Sequence, residues 1–120
     1  MQTVIRTPTF LSDARFSGLS EDEQAEIVNL VAANPTLGDI IPATGGARKV
    51  RIAGRGKGKS GGYRVVTYYA ADDVPVLMLA LINKGERANL SMAERNELRR
   101  VLSDYADDYR KFVQTGRRQR

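Results

Sequence analysis

The residue types best suited to chemistry are gathered in one stretch of seventeen. From Arg48 to Arg64 lie Arg48, Lys49, Arg51, Arg55, Lys57, Lys59 and Arg64, seven cations with no acid among them. Elsewhere 12 cations face 14 acids, so this stretch supplies the whole net charge of +5 and more. Its centre, Gly54-Arg55-Gly56-Lys57-Gly58-Lys59-Ser60-Gly61-Gly62, alternates small residues with cations. That alternation lets backbone amides and ammonium groups approach a phosphate together. A polyanionic partner is the reading these residues favour. The plain alternative is a solvated basic loop kept for solubility.

Other chemistries are closed off. The chain has no cysteine and no histidine, which excludes disulfides, thiolate nucleophiles, a Ser-His-Asp triad and nearly every zinc site. Gly58-Lys59-Ser60 resembles the end of a nucleotide-binding phosphate loop, but the first glycine of that motif would have to stand at Ala53. A helix should also follow, whereas Tyr63 to Tyr69 reads as a strand. The nucleotide-binding reading is rejected. No cofactor or metal is expected.

A chain of 120 residues with 42% hydrophobic and 28% charged residues has the length and balance of one globular domain. The elements that must hold the basic stretch read as follows. Val4 to Arg6 forms a short strand. Thr7-Pro8 opens a helix that Gly18 closes. Ser20-Glu21-Asp22-Glu23 is a capping box that starts a second helix, stopped by Asn34-Pro35. Ala47 to Ile52, Tyr63 to Ala71 and Pro75 to Asn83 are strand candidates, the last apolar enough to be buried on both faces. Asp72-Asp73-Val74-Pro75 turns the second of these into the third. Ser91-Met92-Ala93-Glu94 caps a final helix carrying Leu98, Val101, Leu102, Tyr105, Tyr109 and Phe112, with Gly116 as its end. The expected fold is therefore α+β: an antiparallel-rich sheet of about four strands, an N-terminal helical hairpin and one C-terminal helix. Residues 1–116 make the single domain and residues 117–120 a basic tail. No secretory signal is visible at the start. The longest apolar run, Val76 to Ile82, is far short of the roughly 20 residues of a membrane span. A cytoplasmic protein with no membrane partner is expected.

The order of elements resembles the RelE/ParE superfamily of bacterial toxins, and its details resemble the RelE/HigB branch. The matching segments are Thr7-Pro8-Thr9-Phe10, Leu19-Ser20-Glu21, Ala33-Asn34-Pro35, Gly38-Asp39-Ile40-Ile41-Pro42, Thr44-Gly45-Gly46, Arg48-Lys49-Val50-Arg51, Gly56 to Val65, and Lys84 through Ser91. Gly56 to Val65 is the most distinctive, and the resemblance runs to about residue 105. One departure is Lys84-Gly85-Glu86-Arg87, where related chains tend to carry Lys-Asn-Glu-Lys.

The resemblance implies a type II toxin that cleaves messenger RNA, for the most part in the ribosomal A site. It also implies a cognate antitoxin, often a helix-turn-helix protein of HigA-like type. Cleavage through the RNA's own 2′-hydroxyl needs a base, an acid and charge stabilisation at phosphorus. Lysine and arginine can fill those roles where neighbouring charge adjusts a lysine's proton affinity. By resemblance Arg64 is the principal transition-state stabiliser, and Lys84 a base or phosphate clamp. Lys57 and Lys59 clamp phosphates, one of them sharing acid or base duty. Arg48, Lys49, Arg51 and Arg55 are read as contacts to ribosomal RNA. Tyr68 shares strand parity with Arg64 and could stack on a base, although packing is the commoner use of such a tyrosine. Two rival functions remain: a basic module that blocks the ribosome without cutting, and a gyrase-directed toxin of ParE type.

Overall fold

The computed structural model describes residues 1–52, 62–83, 87 and 89–118. Among them the elements run β1 (Val4–Arg6), α1 (Pro8–Phe16), α2 (Glu21–Ala33), β2 (Asp39–Ile40), β3 (Arg48–Ile52), β4 (Tyr63–Tyr68), β5 (Val76–Asn83), α3 (Met92–Leu102) and α4 (Tyr105–Arg118). The five strands form one sheet in the order β1-β5-β4-β3-β2. Three neighbouring pairs are antiparallel, and β1 joins β5 in parallel. The fold is thus the α+β arrangement expected, with one strand more than the sequence reading counted. That strand, β2, holds only two residues, paired as Asp39 with Lys49 and Ile40 with Arg48. Two residues are too few to show a period-2 pattern.

Local chemistry explains where the helices start. Thr7 caps α1 by accepting the Phe10 amide, with Pro8 in the first turn. Ser20 and Ser91 each form the complete capping box with the glutamate three residues on. After Phe16 the chain escapes through Gly18 in the left-handed region, at φ 76°. The C-terminal helix departs from expectation. It breaks at Ser103 and Asp104 into α3 and α4, and the Ser103 hydroxyl donates to the Arg100 carbonyl. Such local side-chain bonding competes with helix propagation. The apolar spacing from Leu102 to Tyr105 stays helical across the break, which hid it from the sequence. Gly116 does not end the helix either; α4 continues to Arg118.

β5 is the spine. Seven of its eight residues are buried, because the sheet carries a separate apolar layer on each face. One face packs Phe10, Ala14, Ile27 and Val31 of α1 and α2 onto Val65, Val76, Met78 and Leu81. The other packs Leu90, Leu98 and Leu102 onto Val66, Leu79, Ala80 and Ile82. The change of parity inside β5 comes from a β-bulge: Val66 pairs with Ala80 but Thr67 with Met78, so Leu79 is the extra residue. Leu79 and Ala80 consequently both serve the second layer.

The outer edge of β5 would present unpaired backbone groups once β1 ends opposite Met78. The first helix covers it with side chains. The Thr7 hydroxyl donates to the Met78 carbonyl at 2.9 Å, and the Asp13 carboxylate accepts the Leu81 amide at 3.0 Å. At the other edge, the chain entering β2 crosses β3 so closely that only glycine fits at position 38. A Cβ there would lie 2.5 Å from the Lys49 carbonyl oxygen, and φ is 93°.

Two polar ties help attach α4, beside the packing of Tyr105 on the second apolar layer. The Tyr105 hydroxyl donates to the Pro75 carbonyl at 2.8 Å, and the Arg110 guanidinium grips both carboxylate oxygens of Asp73 at 2.7 and 2.9 Å. Burial, followed by the neighbouring Tyr109 and Tyr68 phenols, pushes Tyr105 up to about 12. It therefore stays a neutral donor across the physiological range. Tyr105→Phe keeps the ring and removes the hydrogen bond, leaving the Pro75 carbonyl without that partner. A loss of about 1 kcal/mol in urea unfolding is expected, together with faster amide exchange in α4.

Candidate functional site

The candidate site is built on the ends of three strands. Ile52 pairs with Tyr63, and Tyr63 with Asn83, so β3 ends, β4 begins and β5 ends side by side. One residue in from that edge, Arg51 on β3 lies directly opposite Arg64 on β4, and Arg64 lies opposite Ile82. Val66 and Ile82 belong to the layer under α3. Arg64, two residues from Val66 and beside Ile82, faces that same side. So do Arg51 and, two residues further back, Lys49.

The pairing of Arg51 with Arg64 is electrostatically unfavourable as it stands. Directly opposed residues hold their Cβ atoms about 5 Å apart, and like charges in that position destabilise a sheet. Among the described residues neither guanidinium has a carboxylate within ion-pair distance. Two guanidinium forks of five donors each on one sheet face suit an oxyanion such as a phosphodiester. Lys49 flanks them, its Nζ donating to Asn89 Oδ1 at 2.6 Å. That bond orients the ammonium without neutralising it. Asn89 leads into Leu90, which is buried under the sheet face, so a rigid apolar contact anchors the asparagine. Arg95 closes the same wall, its guanidinium donating to the carbonyls of Leu90 at 3.2 Å and Pro42 at 3.5 Å.

The other expected site residues fall as follows. Lys57, Lys59, Arg55 and Lys84 lie outside the described residues. Arg48 shares the parity of Val50 and Ile52, on the face opposite to Lys49, Arg51 and Arg64. Its guanidinium donates to the Gly38 carbonyl at 3.1 Å and so ties β3 to the strand lead-in. Tyr68 lies on the Arg64 face but roughly 13 Å along the strand, at four residues of about 3.3 Å each. It packs edge-on against Tyr105, with ring centroids 6.2 Å apart. The structure thus brings together Lys49, Arg51 and Arg64 and sets Arg48 and Tyr68 apart from them. Asn89 was given no role from the sequence, although it lies in the Lys84 to Ser91 segment that carries the resemblance.

Next to the site, Arg87 clasps Glu94 through both guanidinium nitrogens, at 2.5 and 3.0 Å. Glu94 also closes the cap of α3 by accepting the Ser91 amide at 2.8 Å. The Arg87 contact, aided by the Ser91 amide and hydroxyl and opposed by burial, holds the carboxyl at about 2. A depressed acid stabilises the fold fully above its unfolded value and loses that contribution as pH falls through the folded one. The stability advantage of wild type over Glu94→Gln is therefore expected to shrink as pH drops from about 4.5 to 2. Thermal unfolding of the two proteins across that range measures it; a gap independent of pH contradicts the assignment.

Among the described residues no cluster of three or more acids gathers that could hold a metal ion. None of their helices is long and apolar enough to cross a membrane. What fold and site define together is a small α+β domain that carries Lys49, Arg51 and Arg64 on one face of its sheet, with no carboxylate paired to either arginine among the described residues. A family model described as the RelE toxin of the RelE / RelB toxin-antitoxin system matches residues 3–115. The chain belongs to that toxin family, within the RelE/ParE superfamily. The match runs past residue 105, where the resemblance read from the sequence stopped, and takes in most of α4. As a RelE-type toxin the protein pairs with an antitoxin.

Proposed function

We propose that this toxin is a metal-independent endoribonuclease of RelE/HigB type, cutting messenger RNA in the ribosomal A site of the cytoplasm and so inhibiting translation. The observation that carries the reading is the opposed pair Arg51 and Arg64, without a carboxylate partner among the described residues and flanked by Lys49 on one sheet face. The scissile phosphate sits against the two guanidinium forks. A base takes the proton from the ribose 2′-hydroxyl, whose oxygen attacks phosphorus, and an acid protonates the departing 5′-oxygen. The products are a 2′,3′-cyclic phosphate and a 5′-hydroxyl. Charge accumulates on the phosphorane oxygens, where fixed cations stabilise the transition state more than the ground state. Arg64 is the principal stabiliser, and Arg51 shares that charge. Lys49, Lys57, Lys59 and Lys84 supply the phosphate clamps and the proton transfers. Arg55 tracks ribosomal RNA, and the antitoxin is a helix-turn-helix protein of HigA-like type.

The test is to map messenger RNA ends in a translating extract with wild-type protein and with Arg64→Ala. New 5′-hydroxyl ends within codons, lost in the variant, support the reading. Stalled ribosomes on intact messages would make the protein a blocker instead, and breaks in DNA that depend on gyrase would place it with the ParE type.

A further inference from the structure

Lys49 has two partners in reach and takes the uncharged one. In the register of β2 with β3 it lies directly opposite Asp39. Directly opposed residues share a face, with Cβ atoms about 5 Å apart, a gap that the flexible four-carbon stem of a lysine spans. Yet the ammonium donates to Asn89 Oδ1 at 2.6 Å, and Asp39 is in no ion pair among the described residues. Two observations account for the choice. Asp39 is exposed on a strand of two residues, where water screens a carboxylate and an ion pair is worth little. Asn89 is held in place by its neighbour Leu90, buried in the layer that contains Val66 and Ile82. Meeting an oxygen already fixed costs less entropy than ordering two mobile side chains together.

The two partners differ in what they leave for a substrate. An amide oxygen carries no net charge, so the ammonium stays uncompensated on the face it shares with Arg51 and Arg64. A carboxylate in its place would cancel that charge. An oxyanion lying against the arginine pair would then meet two cations beside a closed ion pair instead of three cations. We propose that Asn89 is a positioning residue, holding the Lys49 ammonium off Asp39 and so reserving its charge for the substrate phosphate. The effect on rate rests on the endoribonuclease reading; the contact itself is a property of the free protein.

The experiment has two arms. A crystal structure of free N89A is expected to show Lys49 Nζ within about 4 Å of an Asp39 carboxylate oxygen. Single-turnover cleavage on programmed ribosomes then compares wild type with N89A, D39N, N89D and the double variant D39N/N89A. N89A is expected to be about tenfold slower, a modest loss for a misdirected group. D39N removes the competing acid and should stay within about twofold of wild type. The double variant should recover to within about threefold of wild type, because the loss in N89A comes from a pair that Asp39 must complete. N89D keeps the shape of the amide but sets a carboxylate on the ammonium; it should be at least as slow as N89A, and adding D39N should not rescue it. Circular dichroism confirms that each variant keeps its helices. A residue that merely supported the fold would give a loss that D39N leaves untouched. Lys49 lying away from Asp39 in N89A, an N89A as fast as wild type, or a double variant as slow as N89A overturns the proposal. A wild-type protein that cuts no message sinks the endoribonuclease reading instead, and the crystal structure of N89A still decides whether Asn89 holds Lys49 off Asp39.

Discussion

Arg64→Ala is expected to lower the rate of RNA cleavage by about 100- to 1,000-fold, the loss usual when one fixed donor to a developing oxyanion is removed. The size follows from position. Arg64 is half-buried on an inner strand, between Arg51 and Ile82, so its fork is held by the sheet rather than by solvent. Arg64→Lys keeps the charge but loses the planar fork, and should recover only part of the deficit. Arg51→Ala should cost less, about tenfold, because Arg51 is exposed and pays more to be ordered. The two losses should not add, since in the proposed mechanism both side chains address one phosphate. Single-turnover cleavage on programmed ribosomes reads all four proteins. The same variants carry an opposite stability effect: removing either arginine relieves a like-charge pair, so neither should unfold more easily than wild type. Activity lost with stability kept is the signature of a site residue. Loss of both together would mean that Arg64 acts through the fold.

Gly38→Ala is expected to destabilise the protein by about 3 kcal/mol, and Gly18→Ala by about 1 kcal/mol. Both glycines have positive φ, so both substitutions carry the conformational cost of a side chain in the left-handed region. Only Gly38 adds a collision. Its Cβ would sit 2.5 Å from the Lys49 carbonyl oxygen and 2.9 Å from the Val50 side chain, whereas Gly18 has nothing within 4 Å. The difference between the two variants in urea unfolding isolates the cost of that crossing. Because the carbonyl struck is that of Lys49, Gly38→Ala should also disturb the strand that carries Lys49 and Arg51. Equal losses for the two variants would show that β2 yields freely.

Much of the scaffold could be read from residue types alone. Ser20 with Glu23 and Ser91 with Glu94 announced two helix starts, and both capping boxes are complete in the structure. The apolar run into Ile82 announced a strand buried on both faces. What escaped were features that depend on a neighbour. β2 exists because Gly38 lets the chain lie against β3, and its two residues have no pattern of their own. The bulge at Leu79 arises from matching β5 to β4, which no single strand reveals. Within the site, Arg64 was legible from its place after the glycine loop. The weight of Lys49 and Arg51 was not, because Arg48-Lys49-Val50-Arg51-Ile52 shows its alternation only when Val50 is known to be buried. Arg48 then shares the face of Val50 and reaches the Gly38 carbonyl, while Lys49 and Arg51 join Arg64. The partner of Tyr68 lies on a helix 37 residues away in sequence, beyond the reach of any local pattern.

The parallel pairing of β1 with β5 sets an order on birth. Thr7 near the start of the chain bonds Met78 across 71 residues, so β1 has no strand to pair with until β5 has been made. At roughly 5–20 residues per second, that delay is about 4 to 14 s. Until then the apolar sides of α1 and α2 have no sheet to cover, and the strands bearing Arg51 and Arg64 lack the spine on which they are aligned. A nascent chain of this toxin thus stays unassembled until it is nearly through translation, which leaves a window of seconds in which it must avoid aggregation before its cationic face is set.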